Sequence, residues 1–360
     1  VDISIFKSAK AALLLAVSAT AILLPAIAQA QSYPPLWSST SHYAVGDQVQ
    51  ENGNVYRCTH AVTAANLDPS KIYTYWELSY VRENTTLFVG PQETFPTLQL
   101  AWNYILNCSI AQPVYLHIYL SSYHGRISET HTTPFSLDHP FGANISIIGD
   151  NYQNVVFTFD GGDGFAIDNG HTIASLTNVS IYDFQGGTGS GLHASWGATI
   201  GNLAEILVSG FYRGVYAFQG AHLNFTALLN CSSCPDMGVD ADGNSVILMG
   251  SQTDISGSGI GIMGEDGGYV QMSGGRVSGT NYGAYARNRG TVDVGGSTLE
   301  SNTYGAYATL GGFINAYSTD FSGNATDDVF VNDGGIVYAF SASLTTTSIG
   351  TNDGSYILYT

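Results

Sequence analysis

A degenerate repeat of about 21 to 27 residues runs from residue 164 to the C-terminus, and it limits the chain to folds made by stacking. Its clearest copies read Gly283-Ala-Tyr-Ala-Arg-Asn-Arg-Gly-Thr-Val-Asp-Val294 and Gly305-Ala-Tyr-Ala-Thr-Leu-Gly-Gly-Phe-Ile-Asn-Ala316. A unit this short cannot bury an apolar face alone and needs neighbouring copies to do so.

Anchoring the copies at Gly164, Gly191, Gly214, Gly238, Gly259, Gly283, Gly305 and Asp328 aligns an apolar residue next in every copy: Phe165, Leu192, Val215, Val239, Ile260, Ala284, Ala306 and Val329. Two places on, Ile167, Ala194, Ala217, Ala241, Ile262, Ala286, Ala308 and Val331 form a second apolar column, with mixed residues between. Alternation with period two is a strand buried on one face. A second strand carries Leu223, Ile247, Val270, Val292, Ile314 and Val337 inward, followed by Phe225, Met249, Met272, Val294, Ala316 and Ala339. A third carries Ile206, Ile255, Val277, Leu299, Phe321 and Leu344. Small polar corners such as Ser278-Gly279 and Ser322-Gly323 follow it.

Three strands and three turns per copy give an all-β fold, a parallel β-helix. A leucine-rich repeat would show fixed Leu and Asn positions, and a propeller blade needs about twice the period. On these residues the chain resembles the pectate-lyase-like, right-handed parallel β-helix superfamily over roughly residues 90–360.

Ahead of the repeat, Phe95 to Ile105 has helical spacing, with apolar residues at 98, 101, 102 and 105 and Thr97 as N-cap. Val114–Leu120 and Asn144–Asp150 then alternate as strands. This order resembles the start of pectin-esterase-like and phage-tailspike β-helices, which implies a helix capping the open end of the solenoid. Capping is needed because an open coil exposes strand edges.

Residues 31–82 read as a separate small β module. Leu36-Trp37, Tyr43, Gly46-Asp47, Asn52-Gly53, Val55-Tyr56-Arg57-Cys58 and Trp76-Glu77-Leu78 are spaced like the chitin-binding type-3 (family 5/12) carbohydrate-binding fold. The resemblance implies sugar contact through aromatics such as Trp37 and Trp76. Thr59–Ala64 lacks the adjacent aromatic pair of that family, and the same tryptophans serve equally as the core of a small cap. Residues 1–30 read as a secretory signal: Lys7 and Lys10, an apolar run from Ala11 to Leu24, and Ala28-Gln29-Ala30. The solenoid domain is expected over 83–360. No stable membrane span is expected once the signal is cleaved.

The formal charge of −18 argues against nucleic acid, which needs a basic stripe, and disfavours polyanionic glycans. Cys231-Ser-Ser-Cys234 falls at a coil corner outside any βαβ pattern and reads as a local disulfide or two packed thiols. No metal set or cofactor motif is assigned.

Chemistry is expected on the outward positions of the first strand. Asp240 and Asp242 point out two residues apart, about 6.5–7 Å, which overlaps the roughly 6.5–9.5 Å separation of an inverting glycosidase pair. Tyr216 and Phe218 precede them by one coil, and His193 and Ser195 by two. Gly261 in the following coil leaves room. These residues suggest catalysis by Asp240, Asp242 and His193. Tyr216, Phe218, Tyr285, Tyr307 and Phe330 suggest a surface for an extended glycan. The sparse basic and catalytic groups favour a secreted, polysaccharide-contacting surface or matrix protein. The alternatives are a glycoside hydrolase or lyase, and a tailspike-like receptor binder. A homo-oligomer or filament is compatible with each.

Overall fold

The computed structural model describes residues 34–63, 67–72, 74–119, 126–344, 349–351 and 354–358. The expected signal, residues 1–30, lies outside them. The fold is a parallel β-solenoid of about eight turns. Among the described residues, ten strands form one parallel sheet, from Phe135–Ser136 to Ile349–Thr351. Twenty more form a second sheet that takes two strands from each regular coil. One such coil is Tyr282–Ala286, Thr291–Asp293 and Thr298–Glu300. No helix is long and apolar enough to cross a membrane among the described residues.

The inward columns stack in register. Leu192, Val215 and Val239 pair in sequence, as do Ala284, Ala306 and Val329. All six are fully buried. Three columns differ from the sequence expectation. Val239 pairs with Ile262, not Ile260, so the ladder glycine of that coil is Gly261 rather than Gly259. In the second apolar column, Ala241 pairs with Gly264 rather than Ile262. In the third strand, Val208 and Cys231 precede Ile255, and Ile206 falls two places away.

The anchoring glycines form a ladder. A Cβ at Gly238 would meet the Gly261 carbonyl at 2.7 Å, and one at Gly283 would meet the Gly305 carbonyl at 2.6 Å. Any side chain there would force coils apart from their spacing of about 4.8 Å. The ladder ends at Asp328, which is fully buried and accepts from Asn324 Nδ2 at 2.9 Å.

A corner column runs beside this ladder. Asn302 Oδ1 accepts from Thr280 N (3.0 Å) and Thr280 Oγ1 (2.8 Å), and its Nδ2 donates to Val277 O (3.3 Å). Asn324 Oδ1 accepts in turn from Asn302 N at 3.0 Å. These buried amides satisfy backbone groups that the turn removes from the sheet.

At the corner after the first strand, two consecutive residues take left-handed φ. Examples are Asp266 and Gly267 (47° and 81°) and Asp333 and Gly334 (48° and 75°). Asn, Asp and Gly suit this geometry.

The helix spans Leu98–Ile105, with Thr97 as N-cap and Leu98, Ala101, Trp102 and Ile105 buried, as the spacing predicts. Its first turn is also held by Glu129 of the strand Ile127–His131, whose carboxylate accepts from Leu98 N at 2.8 Å and Gln99 N at 3.3 Å. A carboxylate there meets unpaired N–H groups and the positive end of the helix dipole. Trp102 packs edge-on against Phe135, 5.8 Å between centroids.

In the N-terminal module, Gln48–Glu51, Asn54–Cys58 and Trp76–Val81 form a sheet whose fourth strand is Ser109–Ile110, beyond the helix. Module and solenoid thus belong to one compact unit from Pro35 to Thr360. Trp76 is fully buried, donates Nε1–H to Leu67 O at 3.0 Å and packs against Tyr43. Its expected role in sugar contact does not hold: it is a core residue. Trp37 is half-buried and packs on the same core.

Candidate functional site

Strand pairing places Ala166, His193, Tyr216, Asp240, Met263, Tyr285, Tyr307 and Phe330 in one outward column of the ten-stranded sheet. Ser195, Phe218 and Asp242 form the next. The room expected at Gly261 is absent, because Met263 occupies that position and is fully buried.

Charged groups concentrate at the head of this column. Asp163 accepts from Ser190 N at 2.7 Å and pairs with His193 Nδ1 at 2.8 Å. Burial lowers the His193 pKa, but the hydrogen bond and charge of Asp163 outweigh it and leave the imidazole raised. Burial raises Asp163, but the His193 bond, the Ser190 N–H and the nearby positive charges together outweigh that, leaving it lowered. Ser195 Oγ donates to Asp168. The Arg213 guanidinium lies 4.4 Å from the Tyr216 ring centre, a cation–π contact, and its Nε lies 3.4 Å from Asp236. The Tyr216 hydroxyl donates to Asp242 Oδ2 at 3.2 Å.

Asp240 does not face solvent. It is 0 % exposed, and neither carboxyl oxygen has a hydrogen-bond partner. Arg213 Nη1 is 3.9 Å away. The physical reason is side-chain length. Asp240 is short, and its register neighbours Tyr216 and Met263 are long, so the outward position is overgrown. Burial above all, then the nearby Glu265 charge, pushes its pKa well up. Asp242 is half-buried, and burial raises its pKa as well. The expected pair of solvent-facing carboxylates is therefore one sealed carboxyl and one open one. His193 has the same constraint: Nδ1 is committed to Asp163, and Nε2 is buried without a partner.

The aromatics divide into two sets. Tyr285, Tyr307 and Phe330 are half-buried and engaged with one another and with Tyr282 and Tyr304. Tyr307 stacks on Phe330 at 4.9 Å, and Tyr282 on Tyr304 at 5.4 Å. Self-stacked rings offer less open face to a ligand and tie the coils together. The other set surrounds Tyr216. His193 lies 5.4 Å from it, Phe218 stacks on it at 5.9 Å, and Trp196 meets Phe218 edge-on at 6.1 Å.

Trp196 was not singled out in the sequence. It is 58 % exposed and has a left-handed φ of 54° at a corner where other coils place Asn169, Asp266 or Asp333. A bulky residue there costs roughly 1–2 kcal/mol. The signal lay in the sequence as a Trp-Gly step at a corner that other coils fill with Asn-Gly, Asp-Gly, Gln219-Gly220 or Leu310-Gly311.

A groove of about 720 Å³ lies elsewhere, on the outer face of the twenty-stranded sheet. Arg126, Thr130, Thr158, Asp160, Tyr182 and Phe184 line it. Phe184 is 84 % exposed, and Arg126 lies 5.7 Å from the Tyr182 ring centre. No group of three metal-ligating side chains occurs among the described residues. Comparison with models of known families, with curated proteins and with solved structures found no match to this chain.

Proposed function

We propose that this protein binds a neutral or basic polysaccharide along the outer face of the ten-stranded sheet, without cleaving it. The binding centre is the Trp196–Phe218–Tyr216 group, flanked by the Asp242 carboxylate. The observation that carries this reading is Trp196: an indole held in the open, at a backbone conformation that disfavours it, against Phe218, which in turn stacks on Tyr216. Local strain that persists at an exposed side chain points to use of that side chain. Aromatic faces stack on the C–H faces of sugar rings, and carboxylates accept sugar hydroxyls. The charge of −18 directs the choice of ligand away from polyanions.

Catalysis is disfavoured by the sealing of Asp240, which removes the second carboxyl group that hydrolysis requires. The role that follows is that of a surface or matrix protein outside the cell.

The test exposes the chain to immobilised neutral, basic and acidic polysaccharides and analyses the solution by mass spectrometry. Retention on a neutral or basic glycan, lost in Trp196→Ala, with no new oligosaccharides, is the expected result. Release of oligosaccharides would establish an enzyme instead, and retention unchanged in Trp196→Ala would move the site elsewhere.

A further inference from the structure

We propose that Cys231 and Cys234 are a modification site: they close into an intrachain disulfide when the chain folds in an oxidising compartment. The two sulfurs lie 3.6 Å apart, both side chains fully buried. They occupy adjoining positions of one coil. Cys231 stands in the inward column of Val208, Ile255 and Val277. Cys234 fills the corner that Ser258, Thr280, Asn302 and Asn324 fill in later coils, all of them buried. Ser233 between them has a left-handed φ of 55°, which bends the corner.

Space for the sulfurs comes from the first strand of the same coil, Arg213–Phe218. A Cβ at Gly214 would collide with Cys231 Sγ and stand 3.2 Å from Cys234 Sγ, so the glycine ladder leaves a hollow for both. Cys58 and Cys108, the other two cysteines, each donate to a backbone carbonyl instead, of His60 and Leu78. The thiols of Cys231 and Cys234 also have carbonyl acceptors, Gly238 O at 3.3 Å and Ser232 O at 3.5 Å, but these bonds are weak. A bond length of about 2.05 Å is reached by a shift of roughly 1.5 Å shared between two side chains.

The step is thiol–disulfide exchange. One thiolate attacks a sulfur of an external disulfide, either a protein dithiol oxidase or oxidised glutathione, and releases one of its thiolates. The second cysteine thiolate then displaces the other. Two thiol protons and two electrons leave the protein, and the oxidant ends as two thiols. Because both sulfurs are buried, closure belongs to folding, before the corner is covered, and the finished bond is shielded from reductant. The corner leads directly into Pro235 and Asp236, and Asp236 holds Arg213. The bond therefore fastens the chain next to the charged end of the candidate site.

The experiment refolds the full chain in a glutathione redox buffer, alkylates it under denaturing conditions and maps the cysteines by peptide mass spectrometry. Alkylation confined to Cys58 and Cys108, with a linked 231–234 peptide two hydrogens lighter than the dithiol form, is the expected result. Reduction before alkylation should then label all four. Four labelled cysteines without reduction would overturn the proposal, as would linkage through Cys58 or Cys108. The native protein should resist reduction by dithiothreitol many-fold longer than the unfolded chain. Equal rates would place the bond in an exposed, non-native corner and equally overturn it.

Discussion

The Tyr216 hydroxyl reaches one coil onward to Asp242 Oδ2, 3.2 Å away, while Arg213 lies against the same ring. Tyr216 is thereby held beside Asp240, and the sealed state of that carboxyl depends on this arrangement. The aromatic surface of the proposed binding site and the sealing of Asp240 thus share one structural origin.

Asp240→Asn should stabilise the protein at neutral pH. An unfolded Asp titrates near about pH 3.9, and burial raises the folded value well above that. The contribution of Asp240 is then complete below about pH 4 and is lost as pH rises toward the folded pKa. At pH 7 the variant should gain about 1–2 kcal/mol in denaturant unfolding, and the two proteins should converge near pH 4. A loss of stability at pH 7 would mean that Arg213 holds the group ionised.

His193→Gln tests the pair with Asp163. The raised His193 stabilises fully below about pH 6.5 and less as pH passes its folded value. The lowered Asp163 contributes above about pH 3.9 and is lost on acidification. The pair therefore matters most between about pH 4 and 6.5. With solvent screening, the variant should lose about 1 kcal/mol at pH 6 and distinctly less at pH 9. Equal losses at the two pH values would remove the charge from the explanation.

Asn302→Ala should be among the costliest single changes. It strips Thr280 N and Oγ1 of their acceptor and Val277 O of a donor in a buried corner. A loss of about 2–4 kcal/mol is expected from urea unfolding. A loss below about 1 kcal/mol would show that water replaces the amide.

Two glycines should respond in opposite directions. Gly283→Ala puts a methyl 2.6 Å from the Gly305 carbonyl and should destabilise by several kcal/mol, about 2–4. Gly250 has no left-handed φ and nothing within 4 Å of its missing Cβ. Gly250→Ala should be neutral or gain about 0.4–1 kcal/mol by restricting the unfolded chain. Thermal melts of the two variants side by side decide the matter.

Trp196→Asn should separate stability from binding. Asn tolerates the left-handed φ of this corner, so the melting temperature should rise by a few degrees, about 1 kcal/mol. Retention on polysaccharide should fall at least about tenfold, the loss of roughly 1.4 kcal/mol of contact. A variant less stable than the parent would mean that the indole serves packing rather than ligand.

The coils were legible where side chains break the degeneracy of alternation. Ala284-Tyr285-Ala286 and Ala306-Tyr307-Ala308 align in only one way and pair as written. The run Gly259-Ile260-Gly261-Ile262 does not. A slip of two residues keeps every side chain on the same face, so the sequence cannot distinguish Gly259 from Gly261 as the ladder residue, and pairing selects the second. The burial of Asp240 was illegible for another reason. Alternation tells which face a residue takes, whereas exposure depends on the lengths of Tyr216 and Met263 in adjoining coils. The helix boundary was readable because Thr97 and the apolar positions 98, 101, 102 and 105 agree with each other.

The coil from Gly164 to Gly191 is longer than the one from Gly283 to Gly305, and most of its surplus falls before Ser190, at the corner that carries Phe184. The corresponding corner in the shorter coil holds only Ser301, Asn302 and Thr303. Residues can be gained or lost at such corners while the glycine ladder keeps its contacts. A lineage carrying this fold can therefore rewrite what its surface touches without renegotiating the interior, which confines evolutionary experiment to the rim of the stack.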